Sequence, residues 1–437
     1  MWRSFALAAA LLALAGPAAA ADAGGSNPPG AAPGNPGPPA PPTPPPTPPS
    51  GTGRAALKAA LGKAMRGASR ASGAYVTDLA DGTTLFAAHG DVRRNPASVE
   101  KIYTTSTALR RFGPATQFAT TALSPATIDA NGVLQGDLYL RGGGDPTFGS
   151  QSFNNARYGS GAAVEQLARL LAQAGLRRVN GNILGDESLF DDHRGGARTG
   201  ARIDPDIGAP LSALNFNRGK DDGSTTPAAT AADRLAAALR AAGVRVDGGS
   251  DVATTPAGSR ELAHVSSPPL STLVRLTNRP SDNFLAETLL KDLGAAFGGG
   301  GSTSAGAEVV RSELHDAGIS ARVVDGSGLS RSDHTSPHEV VRRLAQISQD
   351  PVAKEFTASL PTAGQNGTLA KRMRGTAADG RCHAKTGTLS DVSALAGYCD
   401  ARSGETLAFA FLMNRTSVAA AHTVQDRMAT ALARFGG

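Results

Sequence analysis

Apolar residues cluster in two short runs near the start of the sequence and in three longer runs near its end. Such apolar-rich runs, bounded by turn residues, predict strands. Asp81-Gly82 joins the first two runs into a hairpin, and turns at residues 390–391 and 402–404 divide the other three into an antiparallel meander. Folding the hairpin onto the meander gives one antiparallel sheet flanked by helices, an α/β (α+β) fold. The five runs lie at residues 73–78, 83–86, 383–388, 393–399 and 406–413.

Helical periodicity surrounds these runs, and the pattern changes in the middle of the chain. Short strands at 136–141 and 178–185 alternate there with helices at 161–174 and 229–242. We therefore predict an inserted mixed α/β domain at 117–264, which divides the sheet domain into parts at 54–116 and 265–437. Further helices are predicted at residues 54–65, 96–111, 270–276, 283–293, 304–317 and 417–434.

The first 53 residues form two segments outside any packed domain. Arg3, an apolar run at 5–15 and small residues at 17–20 are typical of a signal peptide at residues 1–20, so we expect export to the periplasm, the cell envelope or the medium. The apolar run is shorter than the roughly 20 residues that span a bilayer, which favours cleavage over a retained anchor. Residues 21–53 are rich in Pro and Gly and predict a disordered linker.

Composition and charge exclude few functions. The 437 residues are 40% hydrophobic, enough for two or three packed domains, and the net charge is +6 without a dense Lys/Arg block. Nucleic-acid binding has no support; a solvated surface is favoured, and peripheral association with the membrane or wall stays open. Cys382 and Cys399 lie at matching distances from the turn at 390–391, so in an exported protein they predict a disulfide rather than two buried thiols.

Three short motifs occur in a fixed order: Ser98-Val99-Glu100-Lys101, Ser281-Asp282-Asn283 and Lys385-Thr386-Gly387. The first is placed at the start of a helix by Asn95 and Pro96, a capping residue followed by a residue suited to the first helical position. The third falls on a predicted strand. Together the motifs resemble the signature of the serine penicillin-recognising enzymes, in which the serine of the first motif is the nucleophile.

Chemistry explains the residue types. A serine needs a base to take its proton, and positions three apart on a helix share one face, which places the Lys101 amine beside the Ser98 hydroxyl. That amine must be neutral, so we expect burial and a second cation, Lys385, to lower its pKa. Ser281 is expected to relay the proton to the leaving amine, and Asn283 to bond the substrate amide.

The strand that carries the third motif is expected to form the substrate-binding wall. Lys385, Thr386 and Thr388 would face the cleft and bind a carboxylate, such as that of a C-terminal D-Ala. Gly387 lies between them on this strand. The oxyanion hole would consist of the backbone N–H groups of Ser98 and Thr388.

Each motif alone is more simply explained as ordinary structure: an exposed helical turn, a helix cap and a solvated strand end. Their joint occurrence in order reverses that judgement. The eight His residues form no metal-binding pattern, and His334 and His338 flank Ser336-Pro337, which disfavours a shared helical face. We expect neither a metal nor a cofactor.

Nearly all of the chain after the linker resembles the class C low-molecular-mass penicillin-binding proteins, the D-alanyl-D-alanine carboxypeptidase/endopeptidase family. The resemblance implies a β-lactamase/DD-peptidase-like transpeptidase domain interrupted by an insertion. It implies peptidoglycan stem peptides as substrates and β-lactams as covalent inhibitors. Beyond the three motifs, the shared phrases lie at residues 141–146, 211–217, 267–271 and 325–331.

The same resemblance implies a role for two further residues. Asp145 and Arg331 would recognise the zwitterionic end of a diaminopimelate side chain, although without the family a turn Asp and a surface Arg would be the simpler interpretation. From Ser98 to Ser281 the chain runs only 183 positions, by subtraction. The fullest family members carry a further domain within the insertion, and we expect it to be missing here.

Two rival functions remain. A β-lactamase on the same fold would need a group that activates water for deacylation, and the sequence offers no dedicated candidate. A non-catalytic wall-binding protein would use the fold as a scaffold, but all the catalytic side chains are present.

Overall fold

A computed structural model describes residues 51–219 and 226–436. The predicted signal peptide and nearly all of the predicted linker lie outside the described residues. The linker was predicted to reach residue 53, but helix α1 already begins at Gly51. No helix in the described part of the chain is both long and apolar enough to cross a membrane.

The helices and strands are numbered in chain order. The helices are α1 Gly51–Met65, α2 Lys101–Phe112, α3 Gln151–Arg157, α4 Val164–Gln173, α5 Pro227–Ala241, α6 Leu270–Asn278, α7 Asn283–Phe297, α8 Thr303–Asp316, α9 Pro337–Ser348, α10 Ala353–Ser359 and α11 Val418–Ala433. The strands are β1 Gly73–Asp78, β2 Thr84–Ala88, β3 Ala119–Ser124, β4 Val133–Leu134, β5 Leu138–Arg141, β6 Arg178–Val179, β7 Ile183–Asp186, β8 Arg245–Val246, β9 Ser250–Val252, β10 Arg260–Ser266, β11 Cys382–Leu389, β12 Val392–Asp400 and β13 Thr406–Asn414.

The hairpin and the meander form one five-stranded antiparallel sheet in the order β11-β12-β13-β1-β2. This confirms the predicted fold. Cys382 lies directly opposite Cys399 in the β11–β12 register, with Cα atoms 4.0 Å apart, and the two form a disulfide. The predicted cystine is therefore confirmed.

Alternation along β13 divides the apolar core into two layers. Ala408, Ala410 and Leu412 join the layer that contains α2 and α6–α10, whereas Phe409 and Phe411 join the layer formed with α1 and α11. All five side chains are fully buried. Because successive strand residues point to opposite faces, one strand contributes to both layers.

Residues 119–266 form two other sheets, β10-β3-β5-β7-β9 and β4-β6-β8, which pack with α4 and α5. One prediction for this region was wrong. The single strand predicted at 178–185 is two strands, β6 and β7, in different sheets. The chain turns between them at Asn180-Gly181-Asn182, where a Cβ on Gly181 would lie 2.5 Å from the Gly136 carbonyl oxygen.

Candidate active site

Ser98 lies in a tight 3₁₀ turn, Ala97–Glu100, that leads directly into α2. The Asn95 side chain accepts a hydrogen bond from the Ala97 N–H at 2.9 Å and donates to the Ser330 and Asp333 carbonyls. Ala97 has φ 47°, a left-handed conformation that is costly for a residue with a Cβ. The predicted helix start is therefore a strained turn held by Asn95.

The Lys101 side-chain nitrogen, Nζ, lies within hydrogen-bond distance of three oxygens from three parts of the chain. It lies 3.1 Å from Ser98 Oγ, 2.7 Å from Asn283 Oδ1 and 2.6 Å from the Ser327 carbonyl oxygen. The contact with Ser98 was predicted, whereas Asn283 was expected to bond the substrate amide and not Lys101. The Ser327 carbonyl was not predicted, because a backbone acceptor leaves no mark in the residue pattern.

Burial lowers the pKa of Lys101 to about 8, because the fully buried side chain loses solvation of its charged form. Carboxylates that favour the charged form oppose this effect. The repulsion between Lys101 and the predicted second cation, Lys385, appears as a lower pKa of Lys385. The acidic groups are Asp325, Glu287, Asp282 and Glu100.

Lys385 forms the second lysine–serine pair of the site. Its Nζ donates to Ser281 Oγ at 2.7 Å and to the Thr386 carbonyl oxygen at 2.7 Å. Burial and repulsion from Lys101 hold the pKa of Lys385 well below its usual value. Each hydroxyl of the two motifs thus has its own buried lysine.

Strand β11 is an edge strand of the central sheet and lies against the Ser98 turn. A Cβ on Gly387 would lie 3.0 Å from the Ser98 nitrogen, and one on Gly328 would lie 2.9 Å from it. Two glycines therefore allow β11 and the loop of Gly328 to approach this N–H closely. On the same strand, Thr386 Oγ1 donates to Thr368 Oγ1 at 2.7 Å, and Thr388 is exposed.

A cleft of about 700 Å³ adjoins these groups, and Asn283, Asp206, Arg331, Thr388 and Ser390 contribute to its walls. The Asn283 amide nitrogen donates to the Asp206 carbonyl oxygen at 2.8 Å, a second backbone contact that the sequence did not reveal. A larger groove of about 1250 Å³, lined by α1 and α11, contains none of the candidate site residues.

Arg331 lies in this cleft, as predicted, but Asp145 does not join it. Arg331 donates to Asp391 at 2.5 Å and to Ser390 at 2.7 Å. The Asp145 side chain is buried, and one carboxylate oxygen accepts the Thr147 N–H and hydroxyl, each at 2.7 Å. Burial raises the pKa of Asp145 to about 7.

The structure also identifies a buried support behind Lys101. Glu287 accepts hydrogen bonds from the Gly326 and Ser327 N–H groups, and Asp325 accepts from the Ser327, Gly328 and Ser330 N–H groups. This loop carries the carbonyl that binds Lys101. The family resemblance at residues 325–331 identified this loop, but it did not predict that the loop binds Lys101. Across residues 51–219 and 226–436, no group of three or more His, Cys, Asp or Glu side chains is arranged to hold a metal ion.

Comparisons with known proteins identify the family of the chain. The model of the D-Ala-D-Ala carboxypeptidase 3 (S13) family matches residues 54–220 and 222–435. The D-alanyl-D-alanine carboxypeptidase of Actinomadura sp. (strain R39) is 31% identical over 452 residues, which cover 84% of this chain and 82% of that protein.

Solved structures show the same fold. Penicillin-binding protein 4 (dacB) of Haemophilus influenzae matches with a TM-score of 0.71 at 21% identity, covering 86% of this chain and 99% of that one. A second structure of that protein, complexed with a β-lactam, matches with a TM-score of 0.67 at 20% identity, covering 84% of this chain and 97% of that one. The resemblance inferred from the motifs is confirmed: the chain belongs to the D-Ala-D-Ala carboxypeptidase 3 (S13) family and is a serine carboxypeptidase.

Proposed function

We propose that this protein cleaves D-alanyl peptide bonds of peptidoglycan stem peptides and cross-bridges through an acyl-enzyme on Ser98. One observation carries the proposal: the Ser98 hydroxyl lies 3.1 Å from a fully buried lysine whose pKa is about 8. A neutral amine at this position is a base of suitable strength near neutral pH.

The three partners of Lys101 suit the neutral amine. Neutral Nζ has two N–H groups and one lone pair. The N–H groups can donate to Asn283 Oδ1 and the Ser327 carbonyl, at 2.7 and 2.6 Å, which directs the lone pair toward Ser98 at 3.1 Å. The Ser98 O–H then donates to Lys101, and this is the proton that the base removes.

In the acylation step, Ser98 Oγ bonds to the carbonyl carbon of the D-alanyl peptide bond as Lys101 takes the hydroxyl proton. The backbone N–H groups of Ser98 and Thr388 stabilise the negative charge that develops on the carbonyl oxygen. The C–N bond then breaks, and the proton passes through Ser281 to the leaving amine. Water hydrolyses the ester and restores Ser98.

Substrate recognition follows from the strand wall. The C-terminal carboxylate binds at Thr386 and Thr388, near the Lys385 side chain. Arg331, which lies at the cleft with Ser390 and Asp391, binds the carboxylate of the diaminopimelate side chain. For Asp145, burial and the contacts with Thr147 support a structural role instead.

A β-lactam acylates the same serine. Its leaving nitrogen stays attached through the ring, so the product does not diffuse away and the acyl-enzyme persists. The related Haemophilus protein has a structure with a bound β-lactam. The disulfide between Cys382 and Cys399 supports an exported location, where thiols are oxidised.

Labelling with a fluorescent penicillin tests the nucleophile. We expect one label on each wild-type chain and none on Ser98→Ala, because the substitution removes the attacking oxygen. Retained labelling of Ser98→Ala would contradict the assignment. A stem pentapeptide that ends in D-Ala-D-Ala should release D-Ala with the wild type only, and mass spectrometry of the products measures this release. A cross-linked dimer of stem peptides, treated in the same way, measures cross-bridge cleavage.

A further inference from the structure

Asp282 stands between two site residues that point to different lysines. In the connection from α6 to α7, Ser281 hydrogen-bonds to Lys385 and Asn283 hydrogen-bonds to Lys101. Ser281 adopts a left-handed backbone conformation with φ 61°. The Asp282 side chain caps α7 by accepting the Leu285 N–H at 3.0 Å. A strained loop that holds two diverging side chains requires a fixed support.

Arg218, from the inserted region, provides that support. Its two terminal nitrogens bind the two oxygens of Asp282 at 2.6 and 3.1 Å, and both side chains are nearly inaccessible, at 8% and 7% exposure. The guanidinium carbon also lies 4.6 Å from the centre of the Phe284 ring. A planar fork held at three points fixes a carboxylate far more firmly than a single contact does.

The backbone that presents Arg218 is itself unusual. Asn217 and Arg218 have φ values of 49° and 59°, two successive left-handed residues that are not glycine. The Asn217 side-chain oxygen accepts the Ser150 N–H at 2.9 Å, and the Asn217 backbone N–H donates to the Phe148 carbonyl oxygen. These bonds anchor the turn to the inserted region. Strain kept by surrounding contacts is typical of functional positions.

We propose that Arg218 is a positioning residue through which the inserted domain holds Ser281 and Asn283 in place for acylation. This inference rests on the proposed function of Ser98. Arg157 supplies a matched comparison: it touches the same Asp282 oxygen at 3.2 Å, but its side chain is 48% exposed. An exposed contact of this kind contributes little.

The test compares the second-order rate of acylation by benzylpenicillin in the full-length protein. We expect Arg218→Ala to acylate roughly tenfold or more slowly than the wild type, since small displacements of catalytic groups have effects of this size. Arg218→Lys should recover part of the rate because it keeps the charge but not the fork, and Arg157→Ala should stay within about twofold. Thermal unfolding of each variant shows whether it is folded.

A pH profile separates positioning from a general loss of structure. The charge of Asp282 raises the pKa of Lys101, together with Asp325, Glu287 and Glu100, and Lys385 faces Lys101 from β11. Asp282→Asn keeps a helix-capping side chain but removes the charge, so the acid limb of acylation should move to lower pH. Arg218→Ala removes the buried cation that pairs with Asp282, which leaves only the exposed Arg157, and should move the limb to higher pH.

Two results would overturn the inference while leaving the proposed function intact. One is that Arg218→Ala acylates at the wild-type rate; the other is that the acid limb lies at the wild-type pH in both Arg218→Ala and Asp282→Asn. Should Arg218→Ala fail to fold, Arg218→Lys and Asp282→Asn decide the question, and wild-type behaviour in both would reject it. A wild-type protein that forms no acyl-enzyme would instead reject the proposed function.

Discussion

At the scale of single residues, the proposed chemistry depends on how a buried lysine keeps its proton-accepting form. Lys101 has no exposed surface, and its lower pKa results from lost solvation that four nearby acids only partly offset. The same physical effect acts on Lys385 in the opposite wall. Burial therefore lowers the pKa of both lysines, and hydrogen bonds place each one beside a different serine hydroxyl.

The rate of acylation should rise with pH around the pKa of Lys101. Below about 8 the lysine is mostly protonated and cannot accept the Ser98 proton, so the rate of benzylpenicillin acylation should fall about tenfold for each pH unit well below this value. Stopped-flow or quenched measurements between pH 5 and 9 check this. A rate that is flat across that range would exclude Lys101 as the base.

Asp145 and Asp292 form a buried pair of acidic residues outside the cleft. Burial raises the pKa of both carboxyls, and each has one oxygen without a partner among the described residues. Because the folded-state pKa of Asp145, about 7, lies above its value in the unfolded chain, the folded protein binds the extra proton and loses stability as pH rises toward 7.

Asp145→Asn should therefore stabilise the protein at pH 8 by about 1–2 kcal/mol, since it removes a buried charge but keeps an oxygen for Thr147. At pH 5, where Asp145 is already protonated, the change should be small. Denaturant unfolding at both pH values measures the difference. A loss of turnover on diaminopimelate-containing peptides with unchanged stability would instead restore Asp145 to the substrate site.

At the scale of elements, the site depends on how closely β11 approaches the Ser98 turn. Gly387 permits this approach, since a Cβ there would lie 2.7 Å from the Pro96 carbonyl oxygen and 3.0 Å from the Ser98 nitrogen. The strand therefore sets the width of the region in which the scissile carbonyl must fit.

Gly387→Ala should displace β11 and slow acylation roughly tenfold or more, with a loss of about 1–3 kcal/mol of stability from overpacking. Gly300→Ala is the matched control, because a Cβ there meets nothing within 4 Å. Rates of penicillin acylation and unfolding midpoints compare the two. Equal behaviour of both variants would show that the close approach has no role.

The sequence predicted the strands of the central sheet because each is an apolar-rich run and the turns between them are marked. It misjudged residues 178–185, where two short strands join different sheets and no local pattern records the separation. In the site, it located the side chains of Ser98, Lys101 and Lys385. It missed the carbonyls of Ser327 and Asp206 because every residue carries a carbonyl, so only the fold decides which one faces the site.

At the scale of the whole molecule, the inserted region is connected to the chemistry through direct contacts. Arg218 reaches Asp282, and the Asp206 carbonyl reaches Asn283. Both contacts end on one loop, which lies between the two lysines. The inserted region thus contacts the candidate active site as well as forming separate sheets.

The order of strands in the central sheet has a consequence for biosynthesis. β1 lies between β2, its neighbour in sequence, and β13. Gly73 of β1 is opposite Leu412 of β13, so the first and last strands of this sheet pair across 339 positions of the sequence. Contacts this distant form late and slowly. A chain emerging from the ribosome therefore carries Ser98 long before β13 completes the sheet, so carboxypeptidase activity begins only after β13, Thr406–Asn414, has been made.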